Sequence, residues 1–309
     1  MREIFPTSEF YGHAYILKKY AGVSHLPPLP FGVQHGYSFL PGDYDVIGIS
    51  QYRRAEKLWV WSEQDRDDLS QVLPGTRVEA YGAPFIYLYN QLGLAGAVDT
   101  KRSGSIVFTP HSSEAVKIDG KQREISDFLG ELGDEYHPID VCMYYKDIQH
   151  GFHEEYLKKG FNIYALSNSR NEKNFLFNFI EKANCKQYAF VGGFSTAALY
   201  CAYLGLPVYK IPIQPKMLMS KNTWHNARSA HDASYGNEKK RILESEFFGK
   251  APAHQRAFAA KCLGDELILS ESEARTMIIA ERKGIQYKRS CLSLVNLAFK
   301  KTIKRISRW

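Results

Sequence analysis

The sequence has no run of 18 uninterrupted apolar residues, so it offers no ordinary transmembrane helix. Its start, MREIFPTSEFYGH, has no apolar stretch of the kind a signal peptide needs. Cysteine is scarce: Cys142, Cys185, Cys201, Cys262 and Cys291 are odd in number, far apart, and form no Cys-x-x-Cys. That pattern argues against a disulfide framework and a zinc site, and it fits a reducing cytoplasm. There is no His-Glu-x-x-His, and no Gly-x-Ser-x-Gly elbow for acyl chemistry. No Gly-Lys-Ser/Thr closes a phosphate loop, and no repeat or low-complexity stretch is visible. Neither a metal nor a resident cofactor is expected.

What is present is ordinary for a folded chain: 309 residues, 44% apolar and 24% charged. That length suggests two domains or one large one. The net charge of +7 is unevenly placed. Residues 281–309 carry Arg282, Lys283, Lys288, Arg289, Lys300, Lys301, Lys304, Arg305 and Arg308 against the single acid Glu281, which leaves the rest of the chain almost neutral. A nucleic-acid role based on bulk charge is therefore not expected. In the tail, Leu292, Val295, Phe299, Ile303 and Ile306 recur at steps of three and four, one face of a helix. Basic residues flank that face and Trp309 closes the chain, the composition of a helix lying in an anionic membrane interface. The alternative is a helix that packs its stripe on the body. With Lys300, Lys301, Lys304, Arg305, Arg308 and Trp309 as membrane contacts, the expected location is cytoplasmic, peripheral to the inner face of the membrane.

Three segments are expected: 1–95, 104–280 and the basic tail 281–309. The first is short and mixed, with a helix over 10–20, strands over 31–39, 57–62 and 77–84, and a helix over 63–73. The second alternates strand and helix from 104 to 212, which means βαβ units and a parallel sheet, hence an α/β fold. The polar stretch 221–236 reads as a substrate loop or a disordered one. Ligands of parallel sheets bind at the carboxyl ends of the strands, so the polar residues there are the candidates.

The sharpest of these is Gly192-Gly193-Phe194-Ser195-Thr196, a strand running into glycines and then a helix opening on two hydroxyls. A helix start offers free N–H groups and a positive dipole end to a phosphate, and glycine lets the backbone come close. Ser195 is equally well placed to be a plain N-cap. His111, Ser112 and Ser113 follow the first strand of the second segment and suit a diphosphate or sugar, or cap the next helix. Lys146 and Asp147 end the next strand, and Lys146 can neutralise a phosphate. Ser167 and Asn168 end the one after and suit a base or ribose. In the first segment, Gln34-His35-Gly36 ends a strand, and a histidine there is placed for general base work. His13, after Gly12 near a helix start, is a second candidate base. Ser62 and Glu63 line the same acceptor side.

Taken together, these stretches resemble the GT-B glycosyltransferases of bacterial surface-polysaccharide synthesis, such as capsule, lipopolysaccharide and teichoic-acid enzymes. The carriers are VQHG at 33–36, WVWSEQDRDDL at 59–69, EAYGAP at 79–84, VCMYYKDI at 141–148, KKGFNIYALS at 158–167 and FVGGFSTAALYCAYLGLPVYKI at 190–211. The resemblance covers residues 30–215. It implies two Rossmann-like domains whose parallel sheets face a cleft, the short first one completed by a C-terminal helix crossing back. It implies His35 as the acceptor-side base and Gly193, Ser195 and Thr196 as the donor-phosphate cradle. The partners implied are a nucleotide-sugar donor, as co-substrate, and a lipid-linked glycan acceptor. A CDP-polyol phosphotransferase, a sugar-nucleotide epimerase and a non-catalytic glycan-binding subunit stay open beside it.

Overall fold

The computed structural model describes residues 6–37, 52, 55–94, 101–112, 116–169, 171–219 and 230–282. Residues 283–309 of the tail, with all six of its expected membrane contacts, lie outside the described residues, as does Ser113. The first half runs α1 (Pro6–Glu9), α2 (His13–Tyr20), β1 (Gly32–Val33), β2 (Lys57–Val60), α3 (Glu63–Val72), β3 (Arg77–Ala80) and α4 (Pro84–Gln91). The second runs β4 (Ser105–Phe108), β5 (Val116–Asp119), α5 (Gln122–Gly130), β6 (Ile139–Cys142), α6 (Tyr145–Gln149), α7 (Glu154–Leu157), β7 (Asn162–Tyr164), α8 (Phe175–Asn184), β8 (Tyr188–Val191) and α9 (Thr196–Tyr203). It continues with β9 (Val208–Lys210), β10 (Lys216–Met219), α10 (Ala230–Phe247), α11 (Pro252–Leu263) and α12 (Glu271–Arg282).

The chain is α/β with two parallel sheets, ordered β1-β2-β3 and β7-β6-β4-β8-β9. An antiparallel ribbon pairs β5 with β10. The expected strand over 31–39 pairs only through Gly32 and Val33. It stops there because Gln34 turns its side chain into the fold, where its Oε1 accepts the Trp61 N–H at 2.9 Å and its Nε2 donates to the Gly36 carbonyl at 3.1 Å. The polar stretch expected as a loop is helical from Ala230 onward, in α10.

Large rings fill the first half. Trp59 and Trp61 are fully buried. Their indole N–H groups donate to the carbonyls of Gly82 (2.7 Å) and Gln34 (3.1 Å), which is how a tryptophan is buried without stranding its polar atom. The two halves are also joined. They share one continuous core, in which Phe85 of α4 stacks on Tyr200 of α9 with centroids 4.0 Å apart, and Phe179 meets Tyr200 edge-on. The segment after α11 crosses back to the first half. The Leu263 carbonyl accepts the Ala83 N–H, Tyr20 donates to the Leu269 carbonyl, and Glu281 of α12 pairs with Lys57 of β2 at 3.1 Å. At the crossing, Gly264 has φ 69°, and a Cβ there would fall 1.8 Å from the Trp61 carbonyl oxygen, so only glycine fits. The expected segment boundary at 280 therefore cuts through a helix that belongs spatially to the first sheet.

Candidate active site

The carboxyl ends of β4, β6 and β8 are adjacent in the sheet, so their loops converge. Gly192 lies against Pro110, where an added Cβ would come within 2.3 Å of the proline ring. Ser195 is the N-cap of α9: its Oγ accepts the Ala198 N–H at 3.3 Å. The Phe194 N–H donates to Glu244 of α10 at 3.3 Å, and Glu244 also pairs with Lys210 at 2.7 Å. Those two contacts hold the Glu244 carboxyl below its usual range, although burial pushes the other way. Sequence reasoning missed Glu244, because it lies 50 residues from the turn it braces.

Around β4 and β6, the Asp147 carboxylate is buried and accepts the Ser112 N–H at 3.1 Å, while Ser112 Oγ accepts the Ile118 N–H at 3.2 Å. Both brace the loop, and Asp147 Oδ1 is left without a hydrogen-bond partner among the described residues. The His111 ring stands 5.2 Å from Tyr144, and Lys146 is half-buried on α6. Ser167 and Asn168 follow β7, which two strands separate from β8, so they lie away from the glycine turn.

In the first half, His35 Nδ1 lies 3.0 Å from the Tyr52 hydroxyl, which also accepts the His35 backbone N–H at 3.2 Å. When Nδ1 carries the proton it donates to Tyr52 and leaves Nε2 with the lone pair a base needs. Burial pushes the Tyr52 phenol well above its ordinary pKa, so it stays neutral beside the ring. His13 is fully buried. Burial first, then His35, lower its pKa to about 3, with the Gln34 backbone opposing. It is thus a neutral imidazole at any working pH and a poor base. Before it, Tyr11 holds a left-handed φ of 56°, a strain of order 1 kcal/mol for a side chain of this kind.

Ser62 is the N-cap of α3, accepting the Asp65 N–H at 3.1 Å and donating to the Asp65 carboxyl at 2.8 Å, while Glu63 is exposed and paired with Arg66. Both are engaged within the first turn of α3. Asp65, which the sequence did not single out, is buried, and that burial raises its pKa to about 6. Two Asp-x-Asp triplets occur, at 43–45 and 65–67. The first lies outside the described residues; in the second, Asp65 turns inward and Asp67 pairs with Arg66 at 3.0 Å, so the two carboxyls do not converge. Among the described residues no cluster of His, Cys, Asp and Glu is placed to hold a metal ion, and no helix is long and apolar enough to cross a membrane.

The two halves of the site meet at Tyr37 and Thr196. The Tyr37 N–H donates to Thr196 Oγ1 at 2.9 Å, and a Cβ on Gly36 would come within 3.2 Å of the same oxygen. His35 therefore directly precedes the turn that packs on the start of α9.

No family description and no curated protein matches this chain. Among solved structures it is similar to a UDP-GlcNAc 2-epimerase from Neisseria meningitidis bound to UDP-GlcNAc (TM-score 0.38, 12% identity, 75% of this chain and 62% of that one). It is also similar to the pneumococcal O-GlcNAc transferase GtfA in complex with UDP and GlcNAc (TM-score 0.36, 9% identity, 82% and 52%). Anabaena HepE in complex with UDP is a third (TM-score 0.35, 10% identity, 86% and 75%). The chain spans 62% and 52% of the length of the first two.

Proposed function

We propose that this chain is a glycosyltransferase that moves a sugar from a nucleotide-activated donor to an acceptor hydroxyl, with a lipid-linked or polysaccharide glycan of the bacterial surface as acceptor. The observation that carries the reading is the bond between Tyr37 and Thr196, which brings the His35 turn of one half to the helix start of the other. The donor phosphate would sit on the first-turn N–H groups of α9, which favour negative charge. His35 Nε2 takes the acceptor proton as the new C–O bond forms. The bond from the sugar to phosphate breaks, its electron pair leaves on phosphate, and fixed amide dipoles stabilise that charge. The basic tail would hold the enzyme on an anionic membrane, where a lipid-linked acceptor is found.

A thermal-shift panel of UDP, GDP, dTDP, CMP and CDP tests the donor site. One nucleotide is expected to raise the melting point of the wild type by mass action, and that of Ser195→Ala much less. With that donor, His35→Ala should bind it as wild type does and transfer about 10²–10⁴-fold more slowly. No shift with any nucleotide would move the assignment to a non-catalytic glycan-binding protein. For the tail, the full chain should sediment with anionic liposomes at low salt and a chain ending at 285 should not; equal binding by both rejects the membrane role.

A further inference from the structure

The glycine turn before α9 already carries an anion, and that anion belongs to the chain itself. The Glu244 carboxyl accepts the Phe194 N–H through Oε1 at 3.3 Å, and a Cβ on Gly193 would come within 3.3 Å of the same oxygen. Its other oxygen, Oε2, lies 2.7 Å from Lys210 Nζ at the end of β9. The Glu244 side chain is 19% exposed and that of Lys210 36%, so solvent reaches the pair from one side. Packing sets the position. Phe247, one turn further along α10, is fully buried and meets the Phe194 ring edge-on, with centroids 5.3 Å apart. Nearer the start of α10, Lys239 pairs with Asp68 of α3, so the helix that carries the carboxyl is also tied to the first half. The turn does not depend on that carboxyl alone. Pro110 packs on Gly192, and Gln214 Nε2 donates to the Gly192 carbonyl at 2.7 Å.

Phe194 lies inside Gly193–Thr196, the stretch that the transferase reading gives to the donor phosphate, and the assignment rests on that reading. A phosphate oxygen at this turn takes what Glu244 holds, an amide N–H and a cation, and both bind an ionised oxygen strongly. Two anions cannot share one N–H, and side by side they repel. We propose that Glu244 is an internal stand-in for the donor phosphate, displaced when a nucleotide binds, and that Lys210, released from Glu244, becomes the counter-charge of that phosphate. A lysine suits the exchange. Its ammonium is a point charge on a flexible stem, so it turns from one anion to another without any movement of β9.

Binding of UDP, GDP, dTDP, CMP and CDP to the full chain is measured by calorimetry for the wild type, Glu244→Gln and Lys210→Gln, with each variant's melting transition as the check of its fold. Glutamine at 244 keeps an acceptor oxygen for the Phe194 N–H and removes only the charge. Glu244→Gln should therefore bind the nucleotide about five- to tenfold more tightly than wild type, and Lys210→Gln about tenfold more weakly. Glu246→Gln removes an exposed carboxyl two positions along the same helix and should bind as wild type does. An equal gain there would reduce the effect to net charge and overturn the latch. If Glu244→Gln binds as wild type does or more weakly, Glu244 is a brace of the turn, and the latch is overturned while the nucleotide site stands. If Lys210→Gln binds as wild type does, the handover of Lys210 is overturned. If neither the wild type nor Glu244→Gln binds any nucleotide, the transferase reading fails, and the latch with it.

Discussion

The Asp65 carboxyl is buried at the start of α3, and burial raises its pKa to about 6 against the bonds it receives from Ser62 and Gln34. Its ordinary value is 3.8, so between the two pH values the folded chain holds a proton that the unfolded chain has lost. Stability therefore falls as pH rises from about 4 to about 6, by roughly 2–3 kcal/mol at most, and is level above that. Asp65→Asn removes the titration. Its melting point should show a flatter profile from pH 4 to 7 than the wild type, and an unchanged slope would reject this account. At this scale the sequence was a partial guide. A histidine beside glycine at a strand end pointed to His35, and the structure gives it a tyrosine partner. Gln34, Ser62, Ser112 and Asp147 have polar side chains at strand ends, yet the fold uses them to brace turns, and nothing local distinguishes bracing from binding. His13 was legible as a candidate, but its complete burial was not, because that depends on Trp61 and Tyr11 packing against it.

Gly264 shows what one residue can decide for an element. It ends α11 in the left-handed region and lets the backbone touch Trp61 and Gly82 as the chain crosses back. Gly264→Ala adds a Cβ where two backbones meet, so it should lower stability by about 3 kcal/mol or more. A melting point within about 2 °C of the wild type would show that the crossing can shift to accommodate it. The alternation of strand and helix from 104 to 212 was readable, because each strand is a short apolar run closed by a glycine or polar turn. Helix α4 was not, since residues 84–89 are all buried and leave no polar face to give a period. The ribbon of β5 and β10 was not, since its two strands of four residues are paired across almost a hundred positions.

At the scale of the whole molecule, the shared core makes the two sheets one folding unit. Phe85, stacked on Tyr200, lies at its centre. Phe85→Ala should lower the stability of both halves together by about 3–5 kcal/mol. Calorimetry should show a single transition before and after the change, and two separated transitions in the wild type would contradict a common core. The ion pair between β2 and α12 has a further consequence, in the order of synthesis. Lys57 is only 4% exposed, and beside Glu79 its partner is Glu281, which leaves the ribosome some 200 residues after β3 is complete. At roughly 5–20 residues per second that is a wait of about 10–40 s, during which a chaperone that favours uncovered strands would meet the first sheet without its last helix.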